Sequence, residues 1–582
     1  MEKQVSDNGR ILSRQQRKYL AIAIPAVVII MSLISYLRYI NFYTSNWDLG
    51  IEMQMLGDNF HGYLLFEAGD FETYGVLSHL EIHSTYIAVL FSLAYQELSE
   101  PIFLFVCQAL FFSLSLIPLN AISRYYGLSD RQSLFVTILY ASNVGYIASQ
   151  MYDFHWMSLI PVEILTLFFL VARKRYAASA AIIAIGSLTL EVFPPLTLGV
   201  LLFFYYEDII SKGNLKKDYL TKRSISLILL SIMSVFILIV IKEAQYQILP
   251  SLLHNTVSTG IIKGNYSESF YPTTFSIYST GSALLYWGIL YSSLGLIPLF
   301  YRRHLLIALP WLYESILVIP QYATIQDQYS FIALPALFIG LILAIGRGNR
   351  DSVRSAKMLR IALYTILLCL SAVIVYESAY SYQPTLRIFL SVIAALIMLT
   401  AIIATRNSLF LKAYYRKHKG TVKYVLGVIL ILLVLFNFLI GPLNPSNEEK
   451  TVDSGYAFSY SLNTEYHDLV KMTSFIPKNA SIIASDNLFP YVADDPNAFS
   501  FYWNTPANLS FFIYDNLSVN FSFKYVLIDK SQISYIPTDA LMHIKRSYGL
   551  ESIIYTDQAY PGDICLYAAH YNGKITTYFS MD

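Results

Sequence analysis

The sequence predicts an all-α polytopic transmembrane bundle of about thirteen helices, with a cytoplasmic N-terminus and a C-terminal extracytoplasmic α/β domain. Three observations predict it. Of the 582 residues, 55% are hydrophobic and only 14% are charged, whereas a soluble chain carries about 25% charge. Apolar runs recur from residue 20 to residue 441. Lys and Arg gather in every second connection between those runs, which is the asymmetry that orients membrane helices. The formal net charge of +1 argues against nucleic acid as a partner, because phosphate neutralisation needs a basic surface. The bilayer is the partner that the composition demands.

Residues 1–19 form a polar, basic tail, and Leu20–Ile40 follows as an apolar run too long for a signal-peptide core. We read it as a retained first span. The membrane domain then covers 20–442, with spans expected at 20–40, 101–120, 132–149, 156–172, 177–190, 192–206, 224–243, 281–301, 305–320, 329–346, 361–378, 385–405 and 424–441. Basic clusters at the N-terminus, Arg124/Arg131, Arg173–Arg175, Lys212–Arg223, Arg302/Arg303, Arg347–Arg360 and Arg406–Lys423 all fall on one side. The outer loop, 41–100, contains no Lys or Arg, yet holds Asp48, Glu52, Asp58, Glu67, Asp70, Glu72 and Glu81. This orientation requires that 82–96 does not cross, so it is expected as a helix on, or dipping into, the outer face. Sequons starting at Asn265, Asn479, Asn508, Asn516 and Asn520 fall on the outer side, a weaker indication.

Residues 443–582 change character after the helix stop Gly441-Pro442-Leu443-Asn444-Pro445. Strands are expected at 480–484 and 524–529 and an amphipathic helix at 464–475. Three dispersed cysteines, Cys107, Cys369 and Cys565, specify neither a metal motif nor a disulfide framework.

Ionisable groups at a membrane are costly, so their positions inform. Asp48, His79, Glu81, His83, Asp153, His155, Glu191 and Asp327 all fall at the outer ends of spans or in the outer loop. Carboxylates and imidazoles at one face suit acid–base or metal chemistry. Asp48 is a general base, a metal ligand or a simple helix cap. Asp153 and His155 are site residues or a turn beside an interfacial aromatic. Glu191 precedes Val192-Phe193-Pro194-Pro195 and needs a partner or water. His79 and His83 share a face if helical. Glu163, within a span, is expected to pair or pack. Arg38, Lys242, Lys263 and Arg387 are the few cations near the outer face, suited to phosphate or to interfacial snorkelling.

These residues carry a resemblance to an uncharacterised family of membrane proteins, domain of unknown function 2079. Trp47-Asp48-Leu49-Gly50 with Gln54 and His61-Gly62 resembles its Asp-Leu-Gly opening. His83 with Pro101, Gln108-Ala109-Leu110 and Asp153-Phe154-His155 resemble the motifs that follow. Glu191 keeps only the glutamate of a Lys-Glu-Asp motif, and Gln328-Tyr329-Ser330 has glutamine where the family has histidine. Phe475–Ala480, Ser485-Asp486 and Tyr525–Asp529 resemble the tail.

The family in turn resembles the GT-C superfamily, polytopic glycosyltransferases that use a polyprenyl-phosphate sugar donor at the outer face. The resemblance implies a GT-C-like plasma-membrane protein with Asp48, Asp153, His155 and Glu191 as catalytic candidates. It places His83, Gln328, Tyr329, Arg38, Lys242 and Arg387 around substrate. The cofactor stays open, a divalent cation on Asp48 or His83 being one option. A transporter of a small solute or lipid and a non-catalytic envelope protein are the alternatives. No convincing internal repeat supports the transporter.

Overall fold

The structure is a computed structural model that describes residues 11–59, 64–74, 76–98, 101–212, 221–253, 277–318, 323–349, 351–380, 421–439, 441, 465–478 and 480–500, with strands at 510–513, 517–520, 525–529, 553–556 and 564–568. It is mostly helical. The span expected at 385–405, and Arg387 within it, lie outside the described residues, as do Lys263 and the first ten residues of the tail.

The first helix, Arg14–Ile40, begins in a capping box: Ser13 accepts from the Gln16 backbone N–H and the Gln16 side chain accepts in return from that of Ser13. The same device, Ser129 with Gln132, opens Asp130–Ala141. Pro161 and Pro194 sit in the first turns of Ile160–Ala172 and Phe193–Asp208, where a missing N–H costs nothing. Among the described residues, four helices are long and apolar enough to cross a membrane: Arg14–Ile40, Pro101–Tyr125, Lys222–Leu252 and Ser330–Gly348. Ser330–Gly348 is almost wholly buried and forms the hub of the bundle. In contrast, Leu229, Ile232, Phe236, Ile239 and Val240 stand exposed along Lys222–Glu243, as do Ile22, Ile29, Ile30 and Leu33 along the first helix. Apolar stripes of that extent have no stable contact with water, and acyl chains are their natural solvent.

The chain departs from the expected spans in three places. The run 132–149 divides into Asp130–Ala141 and Val144–Met151, because Asn143 turns its side chain to cap the second helix through Gly145 N at 2.9 Å. The run 281–301 ends at Ser293, where Gly295 and Leu296 take φ of +62° and +57°. There the path bends by 114° between Thr280–Ser293 and Ile297–Val318, well before Arg302 and Arg303. A left-handed pair terminates a helix whatever the hydropathy of its neighbours, and a side chain at Gly295 would meet Ala362 Cβ at 3.0 Å. The run 177–190 stops at Gly186, whose missing side chain admits the ring of Phe193.

The helix expected at 82–96 is a short one, Ala88–Leu98, that packs on Ile51–Asp58 and exposes Leu90 and Leu93. The C-terminal segment contains the expected helix at Glu465–Ser474 and strands β1 (Ile482–Ala484), β2 (Ala498–Ser500), β3 (Ser510–Ile513), β4 (Leu517–Asn520), β5 (Tyr525–Asp529), β6 (Ile553–Thr556) and β7 (Ile564–Ala568). Five of them form one sheet in the order β2-β1-β5-β7-β6. The β1 pairings are parallel, with Ile483 opposite both Phe499 and Val526, and β7 is antiparallel to β5 and β6. This sheet docks on the loop 41–100 rather than standing apart. Tyr491 stacks on Tyr39 with ring centroids 4.4 Å apart and donates its hydroxyl to the Tyr39 carbonyl. Gln54, fully buried, donates to Ala498 O at 2.9 Å while accepting from Ala68 N at 2.8 Å.

Candidate functional site

Two neighbouring groups of polar side chains lie where the loop 41–100 meets the helix ends. The first centres on Asp48, in the turn Asn46–Gly50 directly ahead of Ile51–Asp58. Its Oδ2 accepts from the Tyr152 hydroxyl at 2.8 Å. Tyr152 ends the helix Val144–Met151, and Asp153 follows it. Asp153 Oδ2 accepts from Ser45 N at 2.8 Å, and Arg38 Nη2 stands 3.7 Å from Asp153 Oδ1. Arg38, in the last turn of the first helix, also donates to Tyr43 O at 2.6 Å. Burial, and then the charge of Asp153, push the Asp48 carboxyl up to about 8, with Asp327 and Asp486 of the C-terminal segment adding to the effect. At neutral pH such a carboxyl is poised to exchange a proton.

The second group centres on Glu191, in the connection between Tyr176–Gly186 and Phe193–Asp208. His83 Nδ1 lies 2.7 Å from Glu191 Oε1, and Ser84 N donates to Glu191 Oε2 at 2.8 Å. Burial alone would keep His83 neutral, but Glu191 carries its affinity for a proton above the ordinary range. Lys242 joins this neighbourhood, bonded to Gln245 Oε1 at 3.0 Å, while Gln245 Nε2 donates to Ile82 O at 3.1 Å. His155 caps the 3-10 turn Trp156–Leu159, its Nδ1 accepting from Met157 N at 3.1 Å. Burial pushes it down to about 3, followed by the effects of His83 and His79. Gln328 and Tyr329 sit at the start of Ser330–Gly348. Gln328 is buried, and Tyr329 stacks on Trp311 with centroids 5.8 Å apart. Glu163 pairs as expected, accepting from Thr189 Oγ1 at 2.7 Å.

The family described as "Predicted membrane protein (DUF2079)" matches residues 38–385 and 372–547. The chain belongs to this family. No curated protein matches it. Among solved structures it is similar to ArnT from Cupriavidus metallidurans, bound to undecaprenyl phosphate, at 11% identity and a TM-score of 0.49 over 95% of this chain and 99% of that one.

This DUF2079 protein is thus a membrane protein in which acids of the loop 41–100 lie beside the Asp153 turn and Glu191. Two residues of the site escaped the sequence reading. Tyr152, the direct partner of Asp48, carries no sequence signal beyond its place beside Asp153. Glu52 was one acid among several, yet its buried carboxylate accepts from Trp156 Nε1 at 2.7 Å. Both Asp48 and the Glu67–Asp70 pair raise the Glu52 carboxyl further after burial itself, so Glu52 lies near both.

Proposed function

We propose that this protein is a membrane glycosyltransferase that takes sugar from a polyprenyl-phosphate donor at the outer face, as its family resemblance implies. One observation carries the reading: Asp48, bonded to Tyr152, comes together with the buried Asp153 and Arg38 from three separate stretches in one cluster. Ionised Asp48 removes the proton of an acceptor hydroxyl. The acceptor oxygen then bonds to the sugar's anomeric carbon as the bond from that carbon to the phosphate oxygen breaks, and the phosphate leaves with the electron pair. Asp153 holds Arg38 and shapes the field at Asp48. His83, with Glu191 behind it, and Lys242 face the donor phosphate or the acceptor, together with Gln328 and Tyr329. His155 fixes the turn that carries Asp153. Arg387 completes the cationic set.

In this reading the bundle has about thirteen spans, with the N-terminus cytoplasmic and the C-terminal domain outside, covering the site. A divalent cation at Asp48 would polarise the leaving phosphate. The test is transfer of radiolabelled sugar from a polyprenyl phosphate in proteoliposomes. Transfer by the wild type and its loss in Asp48→Asn are expected. Full transfer by Asp48→Asn excludes Asp48 as the base, and no transfer by the wild type from any donor sinks the reading.

A further inference from the structure

The outer loop holds a second constellation that the transfer step above does not use. Glu67, Asp70 and His79 each offer a ligand atom, and those atoms all lie within 4.8 Å of one another. All three are buried, at 1%, 3% and 6% exposure. Glu67 begins the helix Ala68–Tyr74, its Oε2 accepting from Gly69 N at 2.7 Å and its Oε1 from Asp70 N. Asp70 Oδ2 holds His79 Nδ1 at 2.7 Å. These bonds fix three side chains in position while leaving lone pairs on the carboxylate oxygens.

The donor set of this spot suits a cation. Two carboxylates buried so close together repel each other, and a shared proton or a bound cation relieves that repulsion. A neutral imidazole is the form that binds metals. A separate observation lies next door. Asp58 is fully buried, and neither of its carboxylate oxygens has a hydrogen-bond partner among the described residues. Glu67 is near enough to raise its affinity for a proton, after burial, Asp495 and Asp494. The His83 ring is centred 5.3 Å from that of His79, and the Nδ1 of His79 rests on Asp70 as that of His83 rests on Glu191. An imidazole whose one nitrogen rests on a carboxylate is the usual arrangement of a metal-bound histidine and its supporting shell. His155 does not join them, because its Nδ1 accepts a backbone N–H and the neutral ring therefore carries its proton on Nε2.

We propose that Glu67, Asp70 and His79 bind one divalent cation of the zinc class. Mixed nitrogen and oxygen donors favour zinc over calcium or magnesium, which prefer all-oxygen sets. The cation would tie Ala68–Tyr74, which packs on β2, to the turn His79–Glu81. The site would thereby brace the loop beneath the C-terminal sheet. Nothing in this inference depends on sugar transfer.

The test uses tag-free, full-length protein in nanodiscs, stripped with chelator and titrated with Zn²⁺. We expect about one equivalent of zinc per chain by elemental analysis, a rise in melting temperature on zinc addition, and at least about tenfold weaker binding in His79→Gln and in Glu67→Gln. Cobalt-loaded wild type should show visible absorption bands and imidazole scattering in its X-ray absorption spectrum. Wild type without stoichiometric zinc, variants that bind zinc as tightly as wild type, or a bound metal without imidazole each overturn the proposal. The cobalt measurement decides the matter even if the variants fail to fold.

Discussion

Tyr152 donates its hydroxyl to Asp48 Oδ2 at 2.8 Å across 104 positions of sequence. That bond lowers the carboxyl's affinity for a proton, against the larger effect of burial and of Asp153. If Asp48 is the base, its ionised fraction, and with it the rate, rises with pH through a value near 8. Tyr152→Phe removes the donor and should move this limb to higher pH, while Asp48→Asn should cost about 10²–10⁴ in kcat. A pH profile of labelled-sugar transfer checks both. An unmoved limb in Tyr152→Phe would show that another group controls the step.

The Arg38–Asp153 pair is buried on both sides, with the Nη2 and Oδ1 atoms 3.7 Å apart. Removing only Arg38 leaves Asp153 without its cation, and breaking a buried pair from one side costs about 3–5 kcal/mol. Arg38→Gln should therefore lower the unfolding temperature sharply in detergent. The double variant Arg38→Gln/Asp153→Asn should recover part of the loss. Additive losses in this double-mutant cycle would mean that the two side chains act independently.

Much of this arrangement was legible in the sequence, and the remainder was hidden for identifiable reasons. Apolar runs set the helices at Arg14–Ile40, Pro101–Tyr125 and Ser330–Gly348, because burial and lipid contact follow composition. The helix and two strands expected in the tail occur at Glu465–Ser474, β1 and β5. The 114° bend at Leu294–Leu296 was not legible, since hydropathy is continuous across a backbone reversal. Asp153 and His155 looked equivalent as neighbours in one motif. Their backbone directions separate them: Asp153 faces Arg38, whereas the His155 Nδ1 is taken up in capping the next turn. The buried role of Glu52 needed the tertiary contact with Trp156, which no local spacing encodes.

The His83–Glu191 pair should give stability a bounded pH window. Glu191, despite burial, is held below its ordinary range chiefly by His83. Its contribution is complete above about 4.5 and fades as pH falls through the lowered value. His83 is raised, so its contribution is complete below about 6.5 and fades as pH rises through the folded value. The pair should thus support the fold most between those limits. Because the His83 side chain is about one-third exposed, the effect is screened and modest. Melting curves from about pH 4 to about pH 9 should show a plateau that Glu191→Gln flattens at both ends. An identical profile in the variant would remove the pair from the stability account.

Gln54 ties the loop 41–100 to the C-terminal sheet, its amide donating to Ala498 O of the sheet at 2.9 Å and accepting from Ala68 N of the loop at 2.8 Å. It is fully buried, so neither backbone group has water to fall back on. Gln54→Leu preserves bulk but leaves a buried carbonyl and a buried N–H unpaired, at about 1–3 kcal/mol each. The cost falls on the contact between loop and sheet, beside the stacked Tyr39 and Tyr491 rings that also hold it. The variant should release the C-terminal segment to limited proteolysis faster than wild type while the helical bundle stays intact by circular dichroism. Equal cleavage rates would show that the aromatic contact, rather than the Gln54 amide, governs docking.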